Sequence, residues 1–207
     1  MTRKTSSLPE VTGLAASRGE DGVALTWDAI DGEHLPVDAQ TSDFENATSW
    51  NHEVDGWTFI DNDGAPVGGF QGWDIPGITP GTTTASFFVF DCSMEGLSDS
   101  YKAHSGSKYL AALFRYDDHQ TDDWAISPEL SGDAQTVSFW TKSFSADYPE
   151  TVEILYSTTD TDIESFVVAA GAKEVPAAWT EFSAKLPAGE VGGQAVLGKT
   201  IQRRNSL

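Results

Sequence analysis

Asp61-Asn-Asp-Gly64 places oxygen-bearing side chains at alternating positions, and its glycine permits a tight turn. That is hard-cation chemistry. Calcium takes about six to eight oxygens, largely carboxylate and carbonyl, at about 2.3–2.6 Å. The Glu that an EF-hand needs at loop position 12 is missing, so this loop is not an EF-hand. Asp122-Asp123 is a second acidic pair, able to supply metal ligands or simply to make the turn before a strand. Asp, Asn and Gly are also the standard turn residues, so a purely structural reading stands beside the metal one.

Aromatic faces are the other candidate chemistry, because Trp and Tyr rings stack on sugars. Trp50, Trp57, Trp73 and Tyr148 sit near loop-forming residues. Trp50, between Ser49 and Asn51, is the best exposed candidate, with Trp73 and Tyr148 behind it. Trp57, Trp124, Trp140 and Trp179 read as core packing. Catalytic motifs are missing: there is no Gly-x-Ser-x-Gly, no His-Glu-x-x-His and no Gly-x-x-x-x-Gly-Lys. His34, His52, His104 and His119 are scattered in polar stretches and read as surface residues. The single cysteine, Cys92, reads as a small buried apolar residue, since no histidine is recognisably placed to activate it. With 32 Asp and Glu, carboxylate pairs suited to glycoside hydrolysis can be drawn anywhere and carry no signal.

These side chains need a frame, and composition bounds it. The chain has 207 residues and a formal charge of −20, which disfavours phosphate and so argues against nucleic acid and anionic membrane surfaces. Between Gly19 and Glu181 there are 30 acidic and five basic residues, while most of the basic residues lie at the two ends. Apolar residues make up 39% and aromatics 11%, enough to build a core and to argue against wholesale disorder. No run approaches the ~20 apolar residues of a membrane helix. The opening residues lack the apolar stretch of a secretory signal. The chain is therefore expected to be either cytoplasmic or an internal piece of a longer exported protein.

The periodicity is that of strands. Val23, Leu25 and Trp27 alternate with Ala24 and Thr26; Val152, Ile154 and Tyr156 alternate with Glu153 and Leu155. Thr180, Phe182, Ala184 and Leu186 alternate with polar neighbours. Runs at 109–114 and 137–144 are aromatic and apolar. Each is short and bounded by turn residues, and period 2 puts alternate side chains on opposite faces. No long window keeps a helical pattern. Many short strands of this kind predict an all-β sandwich or jelly roll.

Two resemblances refine this. Pro9-Glu-Val-Thr-Gly-Leu14 followed by Val23-Ala-Leu-Thr-Trp27 resembles the first two strands of a fibronectin type III module, over about 20 residues. From Asp43 onward the chain resembles the cleaved-adhesin modules of gingipains and related haemagglutinins, which are MAM-like, galactose-binding-like jelly rolls. The landmarks come in family order: Asp43-Phe-Glu45, Gly56-Trp-Thr-Phe-Ile-Asp-Asn-Asp-Gly64 with Trp73, Tyr109-Leu-Ala-Ala112, Asp122-Asp-Trp-Ala-Ile-Ser-Pro128, Val137-Ser-Phe-Trp140, Glu153-Ile-Leu-Tyr-Ser-Thr158 and Trp179-Thr-Glu-Phe182. Together they span about 145 residues.

The resemblance implies three segments: residues 1–38 as a partial fibronectin-like ribbon and linker, 39–190 as the jelly roll, and 191–207 as a basic tail without counterpart in the family. In such proteins an adhesin module can be inserted within a fibronectin-like one, which would explain the half-module at the start. The resemblance also implies that Asp43 and Glu45 join a calcium site whose C-terminal Asp-Asp pair this chain lacks; truncation or an altered reading frame near residue 190 would account for the loss. The function it implies is a non-catalytic, secreted or cell-surface adhesin, part of a larger polyprotein, binding host extracellular proteins, cells or glycans and stabilised by Ca2+. The alternative is an accessory carbohydrate-binding module of a secreted hydrolase; an enzyme with an acidic cleft is a third reading.

Overall fold

A computed structural model describes residues 15–19, 22–26, 40–70, 74–117, 119–147, 150–188 and 194–202; for 15–19, 22–26 and 194–202 it describes the backbone. Trp73 and Tyr148 therefore lie outside the described residues, as do His34 and most of residues 1–38. The chain divides into two units, Met1–Ser42 and Asp43–Leu207.

In the first unit β1 (Ala15–Gly19) and β2 (Gly22–Thr26) form an antiparallel ribbon, with Ala15 opposite Thr26 and Gly19 opposite Gly22. The alternation Val23-Ala-Leu-Thr26 is what a strand requires, and the expected ribbon is present.

The second unit is built of strands. They are β3 (Thr58–Asp61), β4 (Phe87–Asp91), β5 (Lys108–Ala112), β6 (Asp123–Glu129), β7 (Gln135–Thr141), β8 (Glu150–Ser157), β9 (Val167–Val175), β10 (Thr180–Leu186) and β11 (Gln194–Gln202). Its only described helical pieces are two 3-10 turns, Asp99–Tyr101 and Ile163–Ser165. A five-stranded sheet runs β3-β6-β11-β8-β9, and two ribbons, β4-β5 and β10-β7, complete the strand set. Every pairing is antiparallel. The all-β expectation holds.

Register shows how the layers meet. Phe59 lies opposite Ala125, and Leu197 links Ala125 to Ile154, so these positions share one face of the five-stranded sheet. On that face Val152, Ile154 and Val175 pack against Phe182 and Ala184 of β10, with Val137 and Phe139 of β7 beside them. Phe59 also meets Phe87 of β4, with ring centroids 6.1 Å apart. Both ribbons therefore cover the same face, as a sandwich requires. The opposite face carries Trp124, Ile126 and Leu155, covered by Phe166 and Ile163 around the second 3-10 turn. A third cluster centres on Phe88, Phe90, Val67 and Leu113, where Phe90 is fully buried. Burying an aromatic side chain of this size contributes about 1.5–3 kcal/mol.

Three local features differ from the sequence expectation. Asp43-Phe-Glu45, which in the resembling family is the opening strand, leads here into a turn, and Phe44 takes a left-handed φ of 61°. β9, Val-Val-Ala-Ala-Gly-Ala-Lys-Glu-Val, was not anticipated, because its burial does not alternate. Residues 194–202, expected to belong to a tail beyond the sandwich, pair as β11 between β6 and β8.

Candidate functional site

The acidic residues singled out in the sequence fall into two separate places. The first is a clamp around Glu45. Its Oε1 accepts from the backbone N–H of Ser107 at 2.7 Å and of Lys108 at 2.8 Å, and its Oε2 accepts from the Ser107 hydroxyl at 2.8 Å. Lys108 Nζ closes the clamp by donating to the carbonyls of Glu45 at 3.1 Å and Ala47 at 2.7 Å. Gly106 is required here: its φ is 65°, and a Cβ on it would overlap the Glu45 carboxylate. The hydrogen bonds from Ser107 and Lys108 hold the Glu45 carboxyl below its ordinary range. Asp43 is spent locally, accepting from the Glu45 N–H at 3.1 Å. The clamp pins a segment whose Phe44 and Trp50 both sit at left-handed φ, 61° and 66°, which costs about 1–2 kcal/mol per residue.

The second place joins the 61–64 loop to the start of β6. Asp61 lies opposite Asp123 across the β3-β6 pair. Asp61 Oδ1 accepts from Gly64 N–H at 2.7 Å; Asp63 accepts from Ala65 N–H at 2.8 Å and Asp122 N–H at 2.6 Å. Asp122 accepts from Asn62 Nδ2 and Trp124 Nε1, each at 2.8 Å. Asp123 is 2% exposed, and burial, followed by the charges of Asp63, Asp61 and Asp122, pushes its carboxyl up to about 8. Arg115 opposes that rise, with its guanidinium 3.6 Å from Asp63.

The two acidic pairs read separately in the sequence, Asp61/Asp63 and Asp122/Asp123, lie at one place in the fold, while Asp43 and Glu45 lie at the other. The donor chemistry of the four-aspartate cluster suits calcium. The arrangement does not: the oxygens of Asp61, Asp63 and Asp122 are aimed at N–H groups, and no three potential ligands converge among the described residues.

The aromatic candidates also separate. Trp50 is half-buried, its ring 5.0 Å from Phe90 and 6.3 Å from Phe88; its backbone N–H donates to the Val89 carbonyl at 2.8 Å, and the Val89 N–H donates to the Asn51 carbonyl at 2.9 Å. Its ring packs against the Phe88–Phe90 cluster. Trp140, read from sequence as core, is 46% exposed, because it points outward from β7 while Phe139 points inward. His104 stacks on it at 3.9 Å. Phe144 is 54% exposed and lies 5.0 Å from Tyr101. Lys142 Nζ sits 5.2 Å from the Trp179 ring, and Trp179 Nε1 donates to Lys102 O at 3.1 Å. The alternation of Val137-Ser-Phe-Trp140 does signal that Phe139 and Trp140 face opposite ways.

One buried acid had no sequence signal. Glu150, at the start of β8, lines a cavity of about 670 Å³ with Phe90, Tyr109, Phe139 and Trp179. Its Oε2 is buried with no hydrogen-bond partner among the described residues, and burial pushes the carboxyl up to about 8.

The class these features define is an antiparallel all-β sandwich with an acidic loop cluster and an aromatic flank. No protein-family model matches the chain, and no curated protein matches it. Among solved structures it is similar to cleaved adhesin domains of Lys-gingipain, the family its motifs resemble. The K2 domain is 16% identical with a TM-score of 0.49, covering 76% of this chain and 95% of that one. The K1 domain, from Porphyromonas gingivalis, is 12% identical at 0.44, covering 75% and 95%. The K3 domain, from the same organism, is 17% identical at 0.42, covering 76% and 99%. Likeness of this size leaves the functional reading to the chain's own residues.

Proposed function

We propose that the body from Asp43 onward is a non-catalytic binding module of the adhesin kind, carried within a larger exported protein and meeting host proteins, cells or glycans. The observation that carries this is the aromatic flank. Trp140 and Phe144 are about half exposed and adjoin His104, Tyr101 and Trp179. Exposed clusters of large apolar side chains mark interaction surfaces, and Trp and Tyr dominate their energetics. The flank is mounted on β7 and the 99–104 loop, a rigid scaffold presenting loop residues. The test is binding of the whole chain to immobilised extracellular matrix proteins, host cells and a glycan array, with Trp140→Ala beside it. Loss of binding with an unchanged melting temperature supports the reading; binding that survives the substitution overturns this surface.

The accessory carbohydrate-binding reading shares the same exposed indole. Binding confined to one polysaccharide class, lost in Trp140→Ala, favours it over an adhesin for proteins or cells. Calcium stabilisation, as a further part of the proposal, narrows to the four-aspartate cluster, where a divalent cation would relieve the repulsion around Asp123. It requires Asp61 and Asp63 to release their N–H partners. A rise in melting temperature with millimolar calcium, abolished in Asp63→Asn, supports it; an unchanged temperature overturns it. The binding reading does not depend on that outcome.

A further inference from the structure

The outward face of the β7-β10 ribbon sets an indole beside a carboxylate. Trp140 lies directly opposite Glu181 in the antiparallel register. One step along, Phe139 lies opposite Phe182, and those two rings meet in the core with centroids 6.2 Å apart. Side chains alternate along a strand, so Trp140 and Glu181 both point the other way, and both are exposed. Directly opposed residues on one face have Cβ atoms about 4.5–5.5 Å apart. The carboxylate of Glu181 therefore stands within one side chain's reach of the Trp140 ring.

Each half of this pair has capacity left. His104 stacks on Trp140 with ring centroids 3.9 Å and planes 11° apart. With that face covered, an exposure of 46% leaves the opposite face of the indole to solvent. Glu181 has no ion pair among the described residues. The nearby cations are committed elsewhere. Lys142 Nζ donates to the Ser100 and Lys102 carbonyls and lies 5.2 Å from the Trp179 ring. Lys102 pairs with Asp99 at 2.6 Å. Lys185 lies opposite Thr136, about 14 Å along β10 from Glu181.

We propose that Trp140 and Glu181 together form a pocket for an arginine side chain of a basic partner protein. The guanidinium lies against the open indole face and pairs with the Glu181 carboxylate. An indole face attracts a cation, and a flat guanidinium stacks there while its N–H fork meets a carboxylate. Lysine, a compact and strongly hydrated charge, matches only the electrostatic half of the pair. His104 already shows that this indole takes a flat nitrogen-bearing group. The formal charge of −20 draws basic partners and repels acidic ones, which supplies the long-range complement to the local pair. The inference rests on the aromatic flank being the binding surface and names the chemistry it recognises.

The probe is acetyl-Gly-Arg-Gly-Arg-Gly-Arg-Gly-amide, titrated into the whole chain at low salt. Two peptides accompany it, one with every arginine replaced by lysine and one by citrulline, which is flat but uncharged. NMR of the Trp140 Nε1–H reads binding at the site. The expected result is a saturable shift at millimolar peptide. The citrulline peptide should bind at least about tenfold more weakly, and the lysine peptide at least about threefold. Glu181→Gln should weaken arginine-peptide binding at least about threefold, with an unchanged melting temperature. Glu174→Gln, which removes the same charge from an exposed position on β9, should leave it unchanged.

The proposal is overturned by absence of a shift, by equal binding of either accompanying peptide, or by equal losses in Glu181→Gln and Glu174→Gln. Host-ligand binding lost in Trp140→Ala but untouched in Glu181→Gln also overturns it, and leaves the flank as the binding surface. Arginine-selective, Glu181-dependent peptide binding supports the pocket even where host-ligand binding survives Trp140→Ala, which is the result that removes the flank reading.

Discussion

Glu45 and Asp123 are both carboxylates at elements the sequence marked as metal-binding, and their surroundings act in opposite directions. Glu45 meets two backbone N–H groups and a hydroxyl, with Lys108 beside it, and its ionised form is favoured. Asp123 is deeply buried and surrounded by Asp61, Asp63 and Asp122, so its neutral form is favoured. The difference is in the donors. Backbone N–H groups converge on Glu45 because the turn at Gly106 lets residues 107 and 108 approach it. At the other cluster the available N–H groups are taken by Asp61 and Asp63, leaving Asp123 among like charges.

The largest effect expected from this comparison is in the pH dependence of stability. Asp123 ionises at its ordinary 3.8 when unfolded and at about 8 when folded. Its contribution is therefore complete below about 4 and is lost as pH rises through about 8. Each unit of separation is worth ~1.4 kcal/mol. Urea melts of Asp123→Asn should match the parent near pH 4 and exceed it progressively toward pH 8. Parallel curves for the two proteins would show that Asp123 is ionised in the folded state and erase the contrast with Glu45.

Glu150 sharpens the contrast by separating burial from charge. It too is pushed up to about 8, but by burial alone, whereas Asp123 also feels three carboxylates. Glu150→Gln should likewise gain stability relative to the parent between about 4.5 and 8. Raising salt should lower the Asp123 midpoint by screening its neighbours and leave that of Glu150 in place. NMR titration of the two side-chain carboxyl carbons reads both. A common response to salt would mean that like-charge repulsion is not what sets Asp123 apart.

Glu45→Gln should act with the opposite sign and a smaller size. Replacing one accepting oxygen by an NH2 group sets donor against donor at Ser107 or Lys108. The cost is about 1–2 kcal/mol for a partly exposed, charge-assisted cluster. Because the folded-state pKa of Glu45 is lowered, its contribution is present above about 4.5 and fades as pH falls below that. The gap between parent and variant should therefore close in acid, where the gap for Asp123→Asn also closes, and persist at pH 8, where the two variants differ in sign.

Much of the frame was legible in the sequence. Thr180–Leu186 alternates cleanly and forms β10, because one face meets the core and the other solvent; Val152-Glu-Ile154 marks β8, although Leu155 is also buried, on the opposite face. β9 escaped notice because its exposed Val167 and Val168 break the alternation that burial would impose. β11 was hidden by the change in composition after residue 190. At the candidate site both acidic motifs were visible, but the pairing of Asp61 with Asp123 across β3 and β6 was not, because strand order carries no local signal. The Glu45 clamp did not follow, since its partners Ser107 and Lys108 are 62 and 63 residues away and supply backbone groups that carry no side-chain signature. Glu150 was invisible for a related reason. It stands at a strand start like many surface acids, and only the assembled sandwich turns it inward.

Arg115 supplies the smallest and most specific test. Its guanidinium makes two 2.9 Å contacts with Asp117, through Nε and Nη2, and holds that carboxyl down to about 2. The same group lies 3.6 Å from Asp63 and lowers Asp123 against the three aspartates that raise it, as the weakest of the contributions. In Arg115→Gln the Asp117 midpoint should return toward 3.8, while that of Asp123 should rise slightly. Carboxyl-carbon NMR titration resolves the two in one experiment. An Asp117 that moves beside an Asp123 that stays fixed would show that Asp63 screens the buried acid from Arg115. Its neutrality would then rest on burial and neighbouring carboxylates alone, which is the condition already met by Glu150 with burial by itself.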